Sequence, residues 1–373
     1  MFIERNERKV VNIKRINVTQ TFLPDQKEYQ EILQKSWDKI WITNRGELVL
    51  ELETKIKQKY AITNMIATTN GTLPLQIAIK ALGLEGEIIT TPFSYIATAS
   101  SIYWEGCTPV FVDIDKETLN ISPLQIEAAI TSNTSAILAT HVFGNPCDIL
   151  AIKKIAKKYN LKVIYDAAHC FGVSYKEKSI FEYGDVSTCS FHATKIFHTG
   201  EGGAMFTTDA TLHKKLYYHH NFGHEGRESF QGLGINAKMS ELQGAMGLAV
   251  LPYFDEILDK RKKMYQQYVK LLSVSNKISF QKIMADTEYN HSYFPVIFQN
   301  EMQLEKVVAL LNKNNIFPRR YFNPSLNTID YLKGKEMKIS ESISKRILCL
   351  PLYFDLKEEQ VNYISTLILK TIS

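Results

Sequence analysis

A single lysine, Lys195, stands in a segment that is otherwise rich in hydroxyl-bearing and apolar residues. The segment reads Ser187-Thr-Cys-Ser-Phe-His-Ala-Thr-Lys195 and is followed by the glycine-rich turn 200–203. Desolvation lowers the pKa of a lysine amine, which suits an amine that condenses with a carbonyl group. The pattern indicates either an imine-forming lysine or an ordinary surface lysine. The glycines would let the backbone pass close to a flat ligand.

A carboxylate and a histidine follow another apolar stretch, in the segment Asp166-Ala-Ala-His169. Asp166 comes directly after a predicted strand at 161–165, where a carboxylate can cap the next helix. The alternative role is to keep a cationic ring nitrogen protonated, because a nearby negative charge raises the pKa of that nitrogen. His169 would then support the ring or the carboxylate, although a histidine in an apolar stretch also suits a protein core.

Two further segments have the composition of helix starts that could also bind a ligand. Asn70-Gly71-Thr72 opens a predicted helix at 75–82, where Pro74 near the first turn and Gly83 beyond the end are ordinary helix punctuation. The alternative is a phosphate site at the free helix amides, with Gly71 allowing close approach and Thr72 adding a hydroxyl. Ser240, Glu241 and Gln243 also suit a helix start, and Asn236 lies outside that helix in a glycine-rich loop.

Other chemistries have less support in the sequence. His213, His219, His220 and His224 fall close together, but Asn221-Phe-Gly223 interrupts the helix that a zinc site with i,i+4 spacing would need. We therefore predict no metal. The sequence has no G-x-G-x-x-G after its first predicted strand, no G-x-S-x-G and no P-loop, which disfavours a nicotinamide dehydrogenase, a serine hydrolase and an NTPase.

The elements that must position these residues alternate between strand and helix from about 55 to 209. Apolar strands without polar alternation are predicted at 88–91, 109–113, 136–142 and 161–165, with helices at 96–105, 123–130 and 149–158. This is typical of a mainly parallel sheet buried on both faces, which binds its ligand beyond the carboxyl ends of its strands. The clusters described above lie just after such strands.

The carboxyl-terminal third has a different character. A long charged stretch at 251–272 has helical periodicity, and shorter strands and helices follow it. We predict two domains, residues 1–254 with a large α/β domain and residues 255–373 with a smaller α+β domain, as expected for 373 residues at about 150 residues per domain.

Composition excludes several classes of protein. Apolar residues make up 45% and charged residues 22% of the chain, which argues against disorder and against coiled-coil rods. No apolar run reaches the roughly 20 residues that cross a bilayer, and no Lys/Arg block suggests nucleic acid, so we predict neither partner. The charged segment 1–9 and five scattered cysteines predict a cytoplasmic protein without disulfides.

Taken in order, seven segments resemble the sugar-nucleotide aminotransferases (the DegT/StrS family) among fold-type I pyridoxal-phosphate enzymes, over about residues 28–364. They are 70–72, 91–98, 141–148, Asp166-Ala-Ala-His169, Ser190-Phe-His-Ala-Thr-Lys195, Thr199-Gly-Glu-Gly-Gly203 and 234–241. The resemblance implies a large domain with a mainly parallel seven-stranded sheet sandwiched by helices, and a smaller α+β domain after it.

The resemblance also implies roles for single residues. Lys195 would hold pyridoxal 5′-phosphate covalently and act as the general base. Asp166 would pair with the ring nitrogen, while Tyr95 and His169 would lie against the ring. The phosphate would be bound by Gly71, Thr72 and Ser190 of one subunit and by Asn236 of its neighbour in a homodimer. Lys238 stands where arginine is frequent in the family.

Substrate choice is implied by two segments that are similar to those of enzymes aminating C4 of dTDP-4-keto-6-deoxyglucose. They are 41–46, with Thr43 and Asn44, and 319–325, with Arg319 and Arg320 as candidates for the nucleotide diphosphate. The family suggests L-glutamate as amino donor and cell-surface polysaccharides such as O-antigen as the destination. Amination of C3, a GDP-linked sugar, and a regulator without turnover remain alternatives.

Overall fold

The computed structural model describes residues 15–372. The charged segment 1–9, on which the prediction of a cytoplasmic protein partly rests, lies outside the described residues. The described α-helices are α1 (Gln26–Asp38), α2 (Glu47–Tyr60), α3 (Leu73–Ala81), α4 (Ile96–Trp104), α5 (Pro123–Ala129), α6 (Ile149–Tyr159), α7 (Ala210–His220), α8 (Glu241–Val250), α9 (Phe254–Leu272), α10 (Glu301–Lys313), α11 (Lys338–Arg346) and α12 (Glu358–Ile372).

The described strands are β1 (Ile16–Asn17), β2 (Met65–Thr68), β3 (Glu87–Thr90), β4 (Thr108–Phe111), β5 (Thr134–Thr140), β6 (Lys162–Asp166), β7 (Ser174–Tyr175), β8 (Lys178–Ser179), β9 (Val186–Ser190), β10 (Gly203–Phe206), β11 (Ile278–Phe280), β12 (Thr287–Glu288), β13 (Phe294–Phe298), β14 (Ile316–Phe317) and β15 (Ile347–Leu350). No helix between residues 15 and 372 combines the length and the apolar character needed to cross a membrane.

A seven-stranded sheet with the order β2-β10-β9-β6-β5-β3-β4 forms the centre of the molecule. The pairs β3–β4, β3–β5, β5–β6 and β6–β9 are parallel, and only β10 runs antiparallel to its two neighbours. The prediction of a mainly parallel sheet is confirmed.

Both faces of this sheet are buried, which explains why its strands lack polar alternation. Ile137 and Ala139 of β5 pack in one apolar cluster with residues of α2, α6 and α8. Their neighbours Ala136 and Leu138 pack in a second cluster with residues of α3 and α7. Because successive strand residues point to opposite faces, a strand between two helix layers needs apolar residues at every position.

The predicted helices agree with the structure to within a few residues at their ends. Helix α3 begins earlier than predicted because Asn70 Oδ1 accepts hydrogen bonds from the amides of Thr72 and Leu73, both at 2.9 Å. The predicted long helix at 251–272 is a 3-10 turn, Leu251–Tyr253, that leads directly into α9.

The carboxyl-terminal part has its own antiparallel sheet, β11-β13-β15, and its own apolar core, so the predicted smaller α+β unit is confirmed. Helices α9, α10 and α12 pack in this core. Strand β1 also belongs to it, because Ile16 pairs with Ile316 of β14 and is buried there. The boundary at residue 255 stays a prediction.

Candidate active site

A cavity of about 230 Å³ opens at the carboxyl ends of β6 and β9 and at the start of α3. The predicted residues that line it are Gly71, Thr72, Tyr95, Asp166, His169, Ser190 and Lys195. The fold therefore brings together seven residues that the sequence spreads over 125 positions, as expected for an open sheet that binds ligands beyond its strand ends.

Asp166 is the last residue of β6 and is buried. Its Oδ2 accepts a hydrogen bond from the Thr98 hydroxyl at 2.6 Å, and its Oδ1 accepts one from the Ala168 amide at 3.1 Å. Burial raises the pKa of the carboxyl group, and the two hydrogen bonds and the nearby Lys195 oppose that shift. No helix follows Asp166, so the alternative in which it caps a helix is wrong.

Lys195 lies in the turn between β9 and β10, and its backbone amide donates to the His192 carbonyl at 2.8 Å. Its side chain is partly exposed to the cavity rather than to the outer surface. Burial lowers the pKa of the amine, and the charge of Asp166 opposes that shift. Among residues 15–372 no carboxylate lies within ion-pair distance of this amine, which leaves it available to a ligand.

His169 is held in an aromatic cluster. Its ring is nearly parallel to that of Phe322, with interplanar angle 3° and centroids 6.0 Å apart, and it contacts Tyr293 at 4.9 Å. The Asn290 side-chain amide donates to the His169 carbonyl at 2.8 Å. Burial lowers the pKa of His169 well below its ordinary value, so the ring is neutral at pH 7. Its Nδ1 is buried and has no hydrogen-bond partner.

The start of α3 lies against the end of β9. A Cβ atom on Gly71 would lie 2.6 Å from Ser190 Cβ and 2.9 Å from Ser190 Cα, so only glycine permits this approach. The side-chain oxygen of Asn70 accepts hydrogen bonds from the first two amides of this helix start, so Asn70 is its capping residue. The hydroxyls of Thr72 and Ser190 both border the cavity beside Gly71.

Five predicted residues lie away from the cavity of their own chain. Arg320 is paired with Glu301 at 2.7 Å, and the Arg319 guanidinium lies over the ring of Tyr321. Thr43 and Asn44 are exposed before α2, and Asn44 lines a separate cavity of about 840 Å³. Asn236 is exposed, and its side chain is bonded to Lys238. Their predicted roles stay predictions.

The structure adds two residues that the sequence did not single out individually. Thr98, at the end of the segment 91–98, supplies the hydroxyl that holds Asp166, and Phe322, within 319–325, reaches the cavity from the carboxyl-terminal part. Both residues lie in segments that resemble those of the family, and this resemblance is the only signal in the sequence that points to them. In the described part of the chain no cluster of three His, Cys, Asp or Glu side chains is arranged to hold a metal ion.

These groups match the chemistry of pyridoxal 5′-phosphate. A buried carboxylate suits a ring nitrogen that must stay protonated, an amine without an ion-pair partner suits the aldehyde, and an orphaned neutral histidine with parallel aromatic rings suits a flat heterocycle. Thr72 and Ser190, which line the cavity beside Gly71, carry hydroxyl groups that can donate to a phosphate. The residues present therefore fit this cofactor.

Comparison with known proteins agrees with this chemistry. Residues 24–369 match the model of the DegT/DnrJ/EryC1/StrS aminotransferase family. The dTDP-4-amino-4,6-dideoxy-D-glucose transaminase of Shigella dysenteriae is 40% identical over 357 residues, which cover 94% of this chain and 97% of that protein. The Escherichia coli protein of the same name is 38% identical over 370 residues, covering 96% and 99%.

Among solved structures, DesI in the presence of its TDP-sugar product superposes with a TM-score of 0.91 at 31% identity, covering 96% of this chain and 94% of that one. Aminotransferase PseC of Helicobacter pylori, at 23% identity, has a TM-score of 0.89 over 96% and 99% and supports the fold alone. The chain belongs to the DegT/DnrJ/EryC1/StrS aminotransferase family, and its cofactor is pyridoxal 5′-phosphate.

Proposed function

We propose that this chain transfers an amino group from L-glutamate to C4 of dTDP-4-keto-6-deoxyglucose and so makes a 4-amino-4,6-dideoxy sugar nucleotide. The observation that carries the reaction type is the presence of Lys195 and Asp166 in one cavity. The choice of sugar is supported by two relatives of about 40% identity, both of which are dTDP-4-amino-4,6-dideoxy-D-glucose transaminases and match this chain over nearly its whole length.

The cofactor supplies an electron sink that stabilises negative charge at the substrate carbon. Lys195 would hold the cofactor covalently at rest. Its amine, with its lowered pKa, would serve as the base that takes the proton from Cα of glutamate and as the acid that delivers a proton to C4 of the sugar. Asp166 holds the proton on the ring nitrogen. Thr98 and the Ala168 amide keep the carboxylate oriented toward the cavity.

The remaining cavity residues bind and orient. His169, neutral and fixed among aromatic rings, and Tyr95, which lines the same cavity, would hold the ring of the cofactor. Gly71, Thr72 and Ser190 bind the phosphate, and Asn236 of the neighbouring subunit completes that site. Thr43, Asn44, Arg319 and Arg320 remain the proposed contacts to the nucleotide sugar, with Arg320 released from Glu301 when the substrate binds.

We place this homodimer in the cytoplasm, in a pathway that supplies amino sugars to cell-surface polysaccharides such as O-antigen. The support is chemical: all five cysteines are buried and unpaired, as suits a reducing compartment. The substrate is a nucleotide-linked sugar of the kind that cell-surface assembly consumes.

The test is a two-step assay on purified protein. Glutamate alone should convert the yellow holoenzyme to the amine form with a shift of its visible spectrum, and dTDP-4-keto-6-deoxyglucose should restore the original spectrum and yield the amino sugar by mass spectrometry. No response to glutamate but a response to another amino acid would reject glutamate as the donor, and no response to any amino acid would reject amino transfer. A response to glutamate with turnover only of a 3-keto or GDP-linked sugar would reject the proposed substrate and keep the reaction.

Removing the amine should abolish turnover without unfolding the protein. Lys195→Ala removes both the covalent attachment and the proton acceptor, so we expect kcat to fall by roughly 10⁴-fold or more. The matched control is Lys153→Ala, which removes an exposed lysine from α6. Circular dichroism should be unchanged for both variants. Turnover by Lys195→Ala at a rate comparable to that of the control would contradict the assignment.

A further inference from the structure

The side chain of Asn236 has one orientation fixed by a neighbour. Its Oδ1 accepts a hydrogen bond from Lys238 Nζ at 2.7 Å. An ammonium group can only donate, so this contact requires the amide oxygen, and not the NH2 group, on the side of Lys238. The NH2 group then points away from Lys238, and among residues 15–372 it has no hydrogen-bond partner. The exposed side of Asn236 is therefore a donor.

Lys238 is itself held in place from two sides. Its Nζ lies over the ring of Phe222, 4.5 Å from the centroid, and its backbone forms an antiparallel bridge with Thr68. The adjacent Ala237 carbonyl accepts from the Thr69 amide at 2.8 Å. These contacts tie the loop that carries Asn236 to the end of β2, directly before the turn that contains Gly71.

We infer that Lys238 is a positioning residue that turns the amide NH2 of Asn236 outward as a donor for the cofactor phosphate bound in the neighbouring subunit. This inference rests on the proposed shared site. With the amide reversed, its carbonyl oxygen would face an anion and repel it. The ammonium group thus selects the rotamer that attracts phosphate, and the role extends to any residue at 238 that only donates, arginine included.

A lysine at position 238 could favour phosphate binding in two ways. A lysine that acts only by its own charge would still contribute after Asn236 is removed. A lysine that acts by orienting Asn236 would contribute nothing further, because the group it orients is gone. A double-mutant cycle distinguishes the two.

The experiment titrates the apoenzyme with pyridoxal 5′-phosphate and, separately, with pyridoxal, which lacks the phosphate. Dissociation constants are read from the visible absorbance of the bound cofactor. Asn236→Ala should weaken pyridoxal 5′-phosphate binding roughly 10-fold, the value of one hydrogen bond to a charged group. Lys238→Met should weaken it by a smaller factor, because the freed amide can still turn its NH2 group toward the phosphate. Both variants should leave pyridoxal binding unchanged. Lys238→Arg should restore wild-type affinity.

The double variant decides the matter. Asn236→Ala with Lys238→Met should bind pyridoxal 5′-phosphate as Asn236→Ala does alone. Additive losses, or an equal loss for pyridoxal, would overturn the positioning role. The control Lys214→Met removes an exposed cation that lines the same cavity as Lys238 and has no contact with Asn236, and it should have no effect. If Asn236→Ala itself has no effect, the proposed phosphate site fails and the inference fails with it.

Discussion

Burial of the Asp166 carboxylate is unfavourable because it removes water from a charged group, and this same burial makes the side chain useful to a cationic ligand. Its carboxylate is buried at the end of the cavity, where desolvation raises its pKa, and the Thr98 hydroxyl, the Ala168 amide and the charge of Lys195 oppose that shift. A cationic ring nitrogen placed beside it would relieve this cost. The buried carboxylate therefore favours the protonated form of the ring more than an exposed one would.

Asp166→Asn tests this role, because it keeps the shape of the side chain and removes its charge. The ring nitrogen would lose the group that keeps it protonated, so we expect kcat to fall at least roughly 100-fold while the cofactor still binds. Steady-state kinetics and the absorbance of bound cofactor provide the two measurements. Asp259→Asn, an exposed position on α9, is the control. An Asp166→Asn enzyme with near wild-type kcat would remove the carboxylate from the mechanism.

His141, directly after β5, is a second buried ionisable residue, and its imidazole ring affects stability rather than catalysis. It is fully buried, its ring stacks on Tyr165 with centroids 4.5 Å apart, and its Nδ1 accepts from the Cys147 amide at 3.0 Å. The accepting nitrogen must be unprotonated, so the native ring is neutral. Burial accordingly lowers the pKa of His141 from 6.5 to about 3.

This shift predicts a loss of stability in acid. Below pH 6.5 the unfolded chain binds a proton at this histidine and the folded chain does not, so the free energy of unfolding falls as pH falls, by up to roughly 1.4 kcal/mol per pH unit down to the folded pKa. Urea unfolding of the apoprotein at pH 7 and pH 5 measures it. His141→Gln should have a shallower dependence on pH in this range. An equal slope in both proteins would show that His141 titrates freely in the fold.

At the scale of elements, Glu241 joins two helices that are distant in sequence. It is the first residue of α8, and its buried carboxylate accepts hydrogen bonds from the amides of Leu48 at 2.8 Å and Val49 at 3.2 Å, in the first turn of α2. A carboxylate at this end of a helix also interacts favourably with the helix dipole. Helix α2 begins after Gly46, which provides no side-chain cap, so Glu241 supplies the missing acceptor.

Glu241→Gln should therefore destabilise the protein without changing the cavity that contains Lys195 and Asp166, because Glu241 does not line that cavity. The amide keeps one acceptor but loses the charge and brings two donors against helix amides, and we expect about 1–2 kcal/mol less free energy of unfolding. Urea denaturation measures the change. Glu305→Gln, exposed on α10, should have no effect. Equal midpoints for the two variants would contradict the capping role.

Elements and site residues differ in how far the sequence could predict them. Strands such as β5 and helices such as α6 follow from local apolar patterns. Composition and position after a strand make Lys195 and Asp166 candidates, but only the resemblance to a family gives them roles. The antiparallel placement of β10 between β2 and β9 depends on pairing between distant segments. The contact of His169 with Phe322 joins positions 153 apart, and no local pattern encodes it.

At the scale of the whole molecule, the cavity is built by both parts of the chain. Phe322 reaches it from the carboxyl-terminal part, whereas Lys195 and Asp166 stand on the central sheet. Asn236, by contrast, lies outside this cavity on an exposed loop, next to the apolar side chains of Ile235 and Phe222, which are 40% and 48% exposed. A second copy of the chain seated on this loop would cover apolar surface and bring Asn236 to the neighbouring cofactor.

A mixed dimer tests this arrangement. Lys195→Ala and Asn236→Ala subunits with different tags are coexpressed, and the heterodimer is purified over both tags. If Asn236 acts across the interface, the Asn236→Ala subunit keeps its own Lys195 and receives an intact Asn236 from its partner, which makes one complete site.

Because the second site lacks both groups, the heterodimer should have about half of the wild-type activity. The assay is run at a pyridoxal 5′-phosphate concentration that leaves the Asn236→Ala homodimer mostly without cofactor. If Asn236 instead serves the cavity of its own subunit, no site in the heterodimer has both residues, and its activity cannot exceed half that of the Asn236→Ala homodimer. Activity is therefore recovered in the heterodimer only if Asn236 acts across the interface. Neither single variant alone can distinguish the two arrangements.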